Sequence, residues 1–235
     1  MRPHPIPPVS EPLQYRAIGL VRGVFTPEDP DQPTRGTLVT SDGASLDAVV
    51  LGRLLTLMRR HLDIGQPHLW VVYPRSRDDK TLHLQLMGVW EPSTLARAEA
   101  SGELPLDDTL PEGDDYFSVR GELVFTRPET GDVVVKVRQL PRADGSRPTP
   151  FKLHLSGQLP LDQLRHFVAI EGRRQGPLLS IERHEVIAEL PQRGNRGGKP
   201  RRGAGGERRG ASAGPANSTS PSSRGHGRAV SRPRP

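Results

Sequence analysis

The chain has 235 residues, with 33 Lys/Arg against 27 Asp/Glu, 25 Gly, 25 Pro, a hydrophobic fraction of 33% and no cysteine. Lack of cysteine excludes disulfides, thiolate metal sites and a cysteine nucleophile, and no window approaches the roughly 18 consecutive apolar residues of a membrane-spanning helix. High Gly and Pro with low hydrophobicity leave material for a core but imply that part of the chain is unfolded.

The formal charge of +6 is unevenly placed. Residues 191–235 hold eleven of the Lys/Arg and one acid, Glu207, so this tail carries +10 and the preceding body −4. Within the body, Glu99, Glu103, Asp107, Asp108, Glu112, Asp114 and Asp115 fall in one stretch without a base, and the remainder nets +3. An anionic partner is therefore suggested first by the tail.

Residues 1–13, rich in proline, read as a disordered arm with no apolar run of the secretory type, which points to a cytoplasmic protein. Ala17–Phe25 is short, apolar and β-leaning, and its end at Thr26 and Pro27 predicts a strand. A second strand at Gly36–Thr40 closes on Asp42 and Gly43, a hairpin signal. Leu46–Leu51 fits a third strand, but it runs into Leu54, Leu55, Leu57, Met58 and Leu62. With Arg53, Arg59, Arg60 and His61 interleaved, that spacing predicts an amphipathic helix near 52–62. Strands follow at His68–Tyr73 and Thr81–Met87. Three strands, a helix and two strands is the element order of an oligonucleotide/oligosaccharide-binding (OB) barrel, here spanning 14–97.

Residues 98–115 read as a solvated acidic linker. A second strand series fills 116–190: Tyr116–Phe125, Asp132–Leu140, Pro150–Leu155, Arg165–Ile170 and Leu178–Leu190, with no helix among them. The expected fold class is mainly β, with two small OB-like five-stranded barrels, one helix in the first, and a disordered basic tail over 191–235. A weak internal repeat accompanies this division: Val21-Arg22-Gly23 echoes Val119-Arg120-Gly121, Val24 and Phe25 echo Val124 and Phe125, and Leu84–Gly88 resembles Leu153–Gly157.

No nucleophile elbow, phosphate loop, dinucleotide fingerprint or zinc-protease motif occurs, so no catalytic residue, metal or cofactor is expected. His68, His83, His154 and His166 flank paired strands in each half and read as polar residues on outer strand faces. Trp70, Tyr73, Trp90, Phe125 and Phe151 are candidate stacking platforms for nucleic-acid bases. The alternative is that these aromatics fill the cores. Taken with neighbouring cations, the candidate barrel contacts are Arg22, Tyr73, Arg75, Trp90, Arg120 and Lys152.

The tail repeats Arg-Gly units with no aromatic residue to nucleate a core. Arg193, Arg196, Lys199, Arg201, Arg202, Arg208, Arg209, Arg224 and Arg228 are its candidate phosphate contacts. Guanidiniums on such a backbone follow a phosphate chain without reading bases; biased composition alone is the competing account.

The runs Arg16–Gly23, His68–Arg75, Gly88–Pro92 and Pro150–Leu153 resemble an uncharacterised family of cyanobacterial proteins with tandem OB-like barrels, over roughly residues 14–190. The resemblance implies a cytoplasmic or stroma-like setting and a non-enzymatic role. The reading that follows is a nucleic-acid-binding protein, RNA rather than DNA, with a protein-interaction scaffold or assembly factor as the alternative. No membrane partner is expected, and the sequence sets no oligomeric state.

Overall fold

Residues 4–77, 80–91 and 110–191 are described by the computed structural model of this chain. The first half is organised by strands that bury either one face or both. Arg16–Pro27 (β1) and His68–Ser76 (β4) are buried without interruption over Ala17–Val21 and His68–Val72. One face of each points into the barrel through Ala17, Val21, Trp70 and Val72, the other into a satellite cluster of Ile18, Leu20, Leu69 and Val71. This is why both read as continuous apolar runs. Arg35–Thr40 (β2), Ser45–Val50 (β3) and Leu82–Val89 (β5) bury alternate residues, as one-faced strands must.

Pairing closes the five into a barrel. β1–β2, β2–β3, β4–β5 and β1–β4 are antiparallel, and β3–β5 is parallel over four residue pairs. Between β3 and β4, Gly52–His61 (α1) plugs the barrel with Leu54 and Met58.

The second half repeats the scheme with Tyr116–Arg127 (β6), Asp132–Val137 (β7), Phe151–Ser156 (β8), His166–Gln175 (β9) and Leu178–Glu189 (β10). Its parallel closure, β8–β10, is a single pair, Ser156 with Ser180. Where the first barrel has α1, the second has one 3₁₀ turn, Leu161–Gln163, beside the buried Leu159.

The two barrels are joined by backbone. Arg16–Gly19 of β1 runs antiparallel to Phe117–Arg120 of β6, so ten strands form one sheet. Gly19 faces Phe117, and a Cβ on Gly19 would lie 2.2 Å from the Phe117 ring. Only glycine leaves room there for the phenyl group. A second tie is Arg174 on β9, whose side chain is 2% exposed. Its Nε and Nη2 donate to Asp115, Nη1 and Nη2 to Asp42 in the β2–β3 turn, and Nη1 also to the Gly176 carbonyl. All five N–H groups are thus used. The guanidinium, followed by the Thr40 hydroxyl, holds the Asp42 carboxyl well below the usual carboxylate range.

Three expectations need correction. The N-terminal arm is not free of the body: Ile6 is 7% exposed and packs on the satellite cluster, while Arg16 and Arg120 donate to the Pro7 and Pro12 carbonyls. An apolar outer wall on β1 and β4 gives one isoleucine in a proline-rich segment a place to dock. The repeat holds for Val21-Arg22-Gly23 and Val119-Arg120-Gly121, where Val21 faces Trp70 and Val119 faces Ile170. It fails for Leu84–Gly88, which lies in a fifth strand, against Leu153–Gly157 at a third; any strand with one buried face produces such a Leu-x-Leu alternation. Phe125 is likewise not the partner of Phe25. A register shift between Leu123 and Phe125 turns Phe125 outward to 39% exposure, against 1% for Phe25.

Candidate nucleic-acid interface

In an OB barrel the wall made by the second and third strands carries the ligand. On the first barrel the outward positions of β2 and β3 are Arg35, Thr37, Val39, Ser45, Asp47 and Val49, with one cation, Arg35, and one acid, Asp47, which pairs with Arg77 at 2.6 Å. The equivalent wall of the second barrel is different. Lys136 on β7 lies opposite Lys152 on β8, and Val134 lies opposite His154. Phe125 on β6 stands beside Val134, with the Arg127 guanidinium 5.6 Å from its ring. Glu122 is the acid in this group; Lys136 approaches it at 3.0 Å and Arg138 at 3.7 Å. The result is an aromatic and aliphatic row, Phe125, Val134 and His154, next to a cationic one.

The first barrel borders this wall from the side. Ser76 Oγ accepts the His154 backbone N–H at 2.8 Å, Lys80 Nζ lies 2.6 Å from Asp132, and the Arg75 guanidinium sits 3.8 Å over the Phe151 ring. Burial, then the positive charges of Lys80 and Lys152, lower the His154 pKa against the opposing pull of Asp132. His83, paired with Arg75 and Asp47 in neighbouring strands, is lowered by burial and then by Arg77. Both imidazoles are therefore neutral near pH 7 and offer ring faces and hydrogen bonds rather than charge.

The six barrel residues singled out from sequence do not converge. Lys152 belongs to the β7–β8 wall, and Arg75 borders it through the Phe151 ring. Tyr73 stands one outward position before Arg75, but its ring packs on the satellite cluster with Trp90. The Trp90 indole N–H is buried and unpaired among the described residues. Arg120 binds the arm through the Pro12 carbonyl. Arg22 pairs with Asp114 at 2.7 Å and borders a cleft of about 460 Å³ with His61, Gln66, His68 and Glu91. Trp70 is not a stacking platform, since it is fully buried and donates its indole N–H to the Gly23 carbonyl. His68 is not an outer-face residue either: it is 6% exposed, with Nδ1 2.5 Å from Glu91 and Nε2 2.7 Å from the Asp63 carbonyl. The tail residues Arg193 to Arg228 and most of the acidic stretch, residues 98–109, lie outside the described residues.

Sequence reasoning missed Lys136, Arg127 and Lys80. Lys136 was within reach, because the Val-x-Val-x-Val pattern at 133–137 places it on the outer face of a strand. That it meets Lys152 depends on the register.

Comparison with known families agrees with this architecture. Residues 17–97 match the family described as PatR RNA-binding protein, N-terminal OB-fold domain. Residues 119–188 match the cyanobacterial OB-fold-like RNA-binding domain, C-terminal. No curated protein matches the chain.

Proposed function

The chain belongs to a cyanobacterial family of tandem OB-fold proteins, and from that premise we propose that it is a non-enzymatic RNA-binding protein. The observation that carries this reading is the β7–β8 wall, where Lys136 and Lys152 pair across strands beside Phe125, Val134 and His154. Cations that hold phosphates next to an exposed ring that receives a base are the parts single-strand binding requires. RNA is favoured over DNA because both matched families are described as RNA-binding. The tail adds sequence-independent contacts: Arg193, Arg196, Lys199, Arg201, Arg202, Arg208, Arg209, Arg224 and Arg228 neutralise phosphates and raise the effective concentration of RNA at the barrels.

Filter binding against single-stranded and structured RNA tests the reading. It compares the full chain, a chain ending at Leu190, and Lys136→Glu/Lys152→Glu in the full chain. Removing the tail should weaken binding about tenfold and flatten its salt dependence, and the double charge reversal should weaken it about tenfold or more. No binding by the full chain up to about 100 μM at low salt sinks the proposal. A protein partner that survives nuclease treatment would favour the scaffold alternative.

A further inference from the structure

The solvent face of α1 carries charge that the first barrel does not use. Arg53, Arg59 and Arg60 are exposed and have no ion pair among the described residues, and the helix contains no acid. At 3.6 residues per turn, positions 53, 56 and 60 form one stripe with 59 beside it, opposite the buried Leu54 and Met58. Cations in the last turn complement the helix dipole, which accounts for Arg59 and Arg60. It does not account for Arg53. That residue sits in the first turn, where an acid would stabilise the helix and a cation opposes the dipole, and the N-cap, Leu51, supplies no side-chain bond. The helix therefore gives up local stability while keeping a cationic face along its full length.

We infer that this face is a second phosphate-contact surface, for the backbone of the same RNA strand. The inference rests on the RNA-binding reading above and extends it to a place that the strand walls do not reach. Charge complementarity selects the occupant: three guanidiniums spread over about 10 Å of helix axis, with Thr56 between them and no carboxylate, suit a run of phosphates. The surface belongs to the first barrel alone, because the corresponding place in the second holds only the Leu161–Gln163 turn. It gives the first barrel, with one outward cation on its β2–β3 wall, its own hold on the strand.

The test is Arg53→Glu/Arg59→Glu/Arg60→Glu in the full chain, with thermal melting and circular dichroism to show that the fold persists. Binding to a single-stranded RNA of about 20 nucleotides is measured by anisotropy across a salt series. The triple reversal should weaken binding about tenfold or more, and the slope of log affinity against log salt should fall by about 2, as expected for three lost phosphate contacts. Arg53→Lys/Arg59→Lys/Arg60→Lys, which keeps the charge, should bind within about twofold of the unaltered chain. Unchanged affinity and slope in the reversed variant, with Lys136→Glu/Lys152→Glu still losing binding, overturns the helix surface and leaves the RNA reading intact. Tighter binding in the reversed variant also overturns it, and makes an acidic segment of this chain the occupant. Failure of the unaltered chain to bind RNA removes both.

Discussion

The two barrels share every strand pairing and almost nothing of their outer chemistry. The first is closed by a four-pair parallel ladder, plugged by a helix and covered on β1 and β4 by an arm and an aromatic cluster. The second is closed by one pair, has a single 3₁₀ turn and no α-helix among its described residues, and presents a wall of Lys136, Lys152, Phe125 and His154. The strand scheme is fixed by inward residues, which must be apolar in both. Outward positions are free to differ, and there the two β2–β3-type walls diverge in charge and aromatic content.

The sharpest way to break this contrast is the pair Phe25 and Phe125, which occupy similar local sequences and opposite environments. Phe25 is 1% exposed and meets Trp70 edge-on at 6.2 Å. Phe25→Ala should cost about 3–5 kcal/mol of stability in chemical denaturation. Phe125→Ala should change stability by less than about 1 kcal/mol yet lower RNA affinity by about fivefold or more, through a lost stacking contact of about 1–3 kcal/mol. If both variants behave alike, the contrast between the buried Phe25 and the outward Phe125 carries no functional meaning.

A smaller effect is expected where the barrels meet. Arg174→Met leaves Asp42 and Asp115 without their shared donor, and both are exposed enough to recover water. The expected loss is about 2–4 kcal/mol, with faster amide exchange along Arg16–Gly19 and Phe117–Arg120. Unaltered exchange there would mean that the backbone ladder alone holds the halves together.

The smallest effect is the acid response of the same tie. Asp42 titrates lower in the folded chain than in the unfolded one because Arg174 and then Thr40 stabilise its charged form. Its contribution is complete above the ordinary carboxylate pKa of about 4 and is lost as pH falls through the lower folded value. Melting temperature should therefore drop below about pH 4, and more gently in Asp42→Asn, which has no such proton to take up. Identical acid profiles would remove Asp42 from the account.

Much of the strand layout was legible because one-faced burial writes itself as alternation, and because Asp42 with Gly43 marks a turn. The helix was legible from Leu54 and Met58 at a four-residue spacing between arginines. What was not legible depends on partners far away in the chain. Ile6 reads as one apolar residue among prolines until β1 and β4 supply an apolar wall. Arg174 meets Asp42 across 132 residues, a pairing that no local pattern encodes. A one-residue register shift reverses the fate of Phe125. The candidate interface was visible only as scattered cations, because Lys136 and Lys152 become neighbours through strand pairing; of the six barrel residues proposed, Lys152 lies in that wall and Arg75 borders it.

The ladder between β1 and β6 also has a meaning for the first barrel taken alone. Arg16, Ala17 and Ile18 pair with β6 and with no strand of their own barrel, whose contacts to β1 begin at Gly19. During synthesis those three residues wait about 100 positions for their partner to emerge. A first half cut free of the second would present them as an open strand edge, with unpaired backbone donors and acceptors ready to accept another chain. The second barrel is thus a cap on the edge of the first, held there by the β1–β6 ladder.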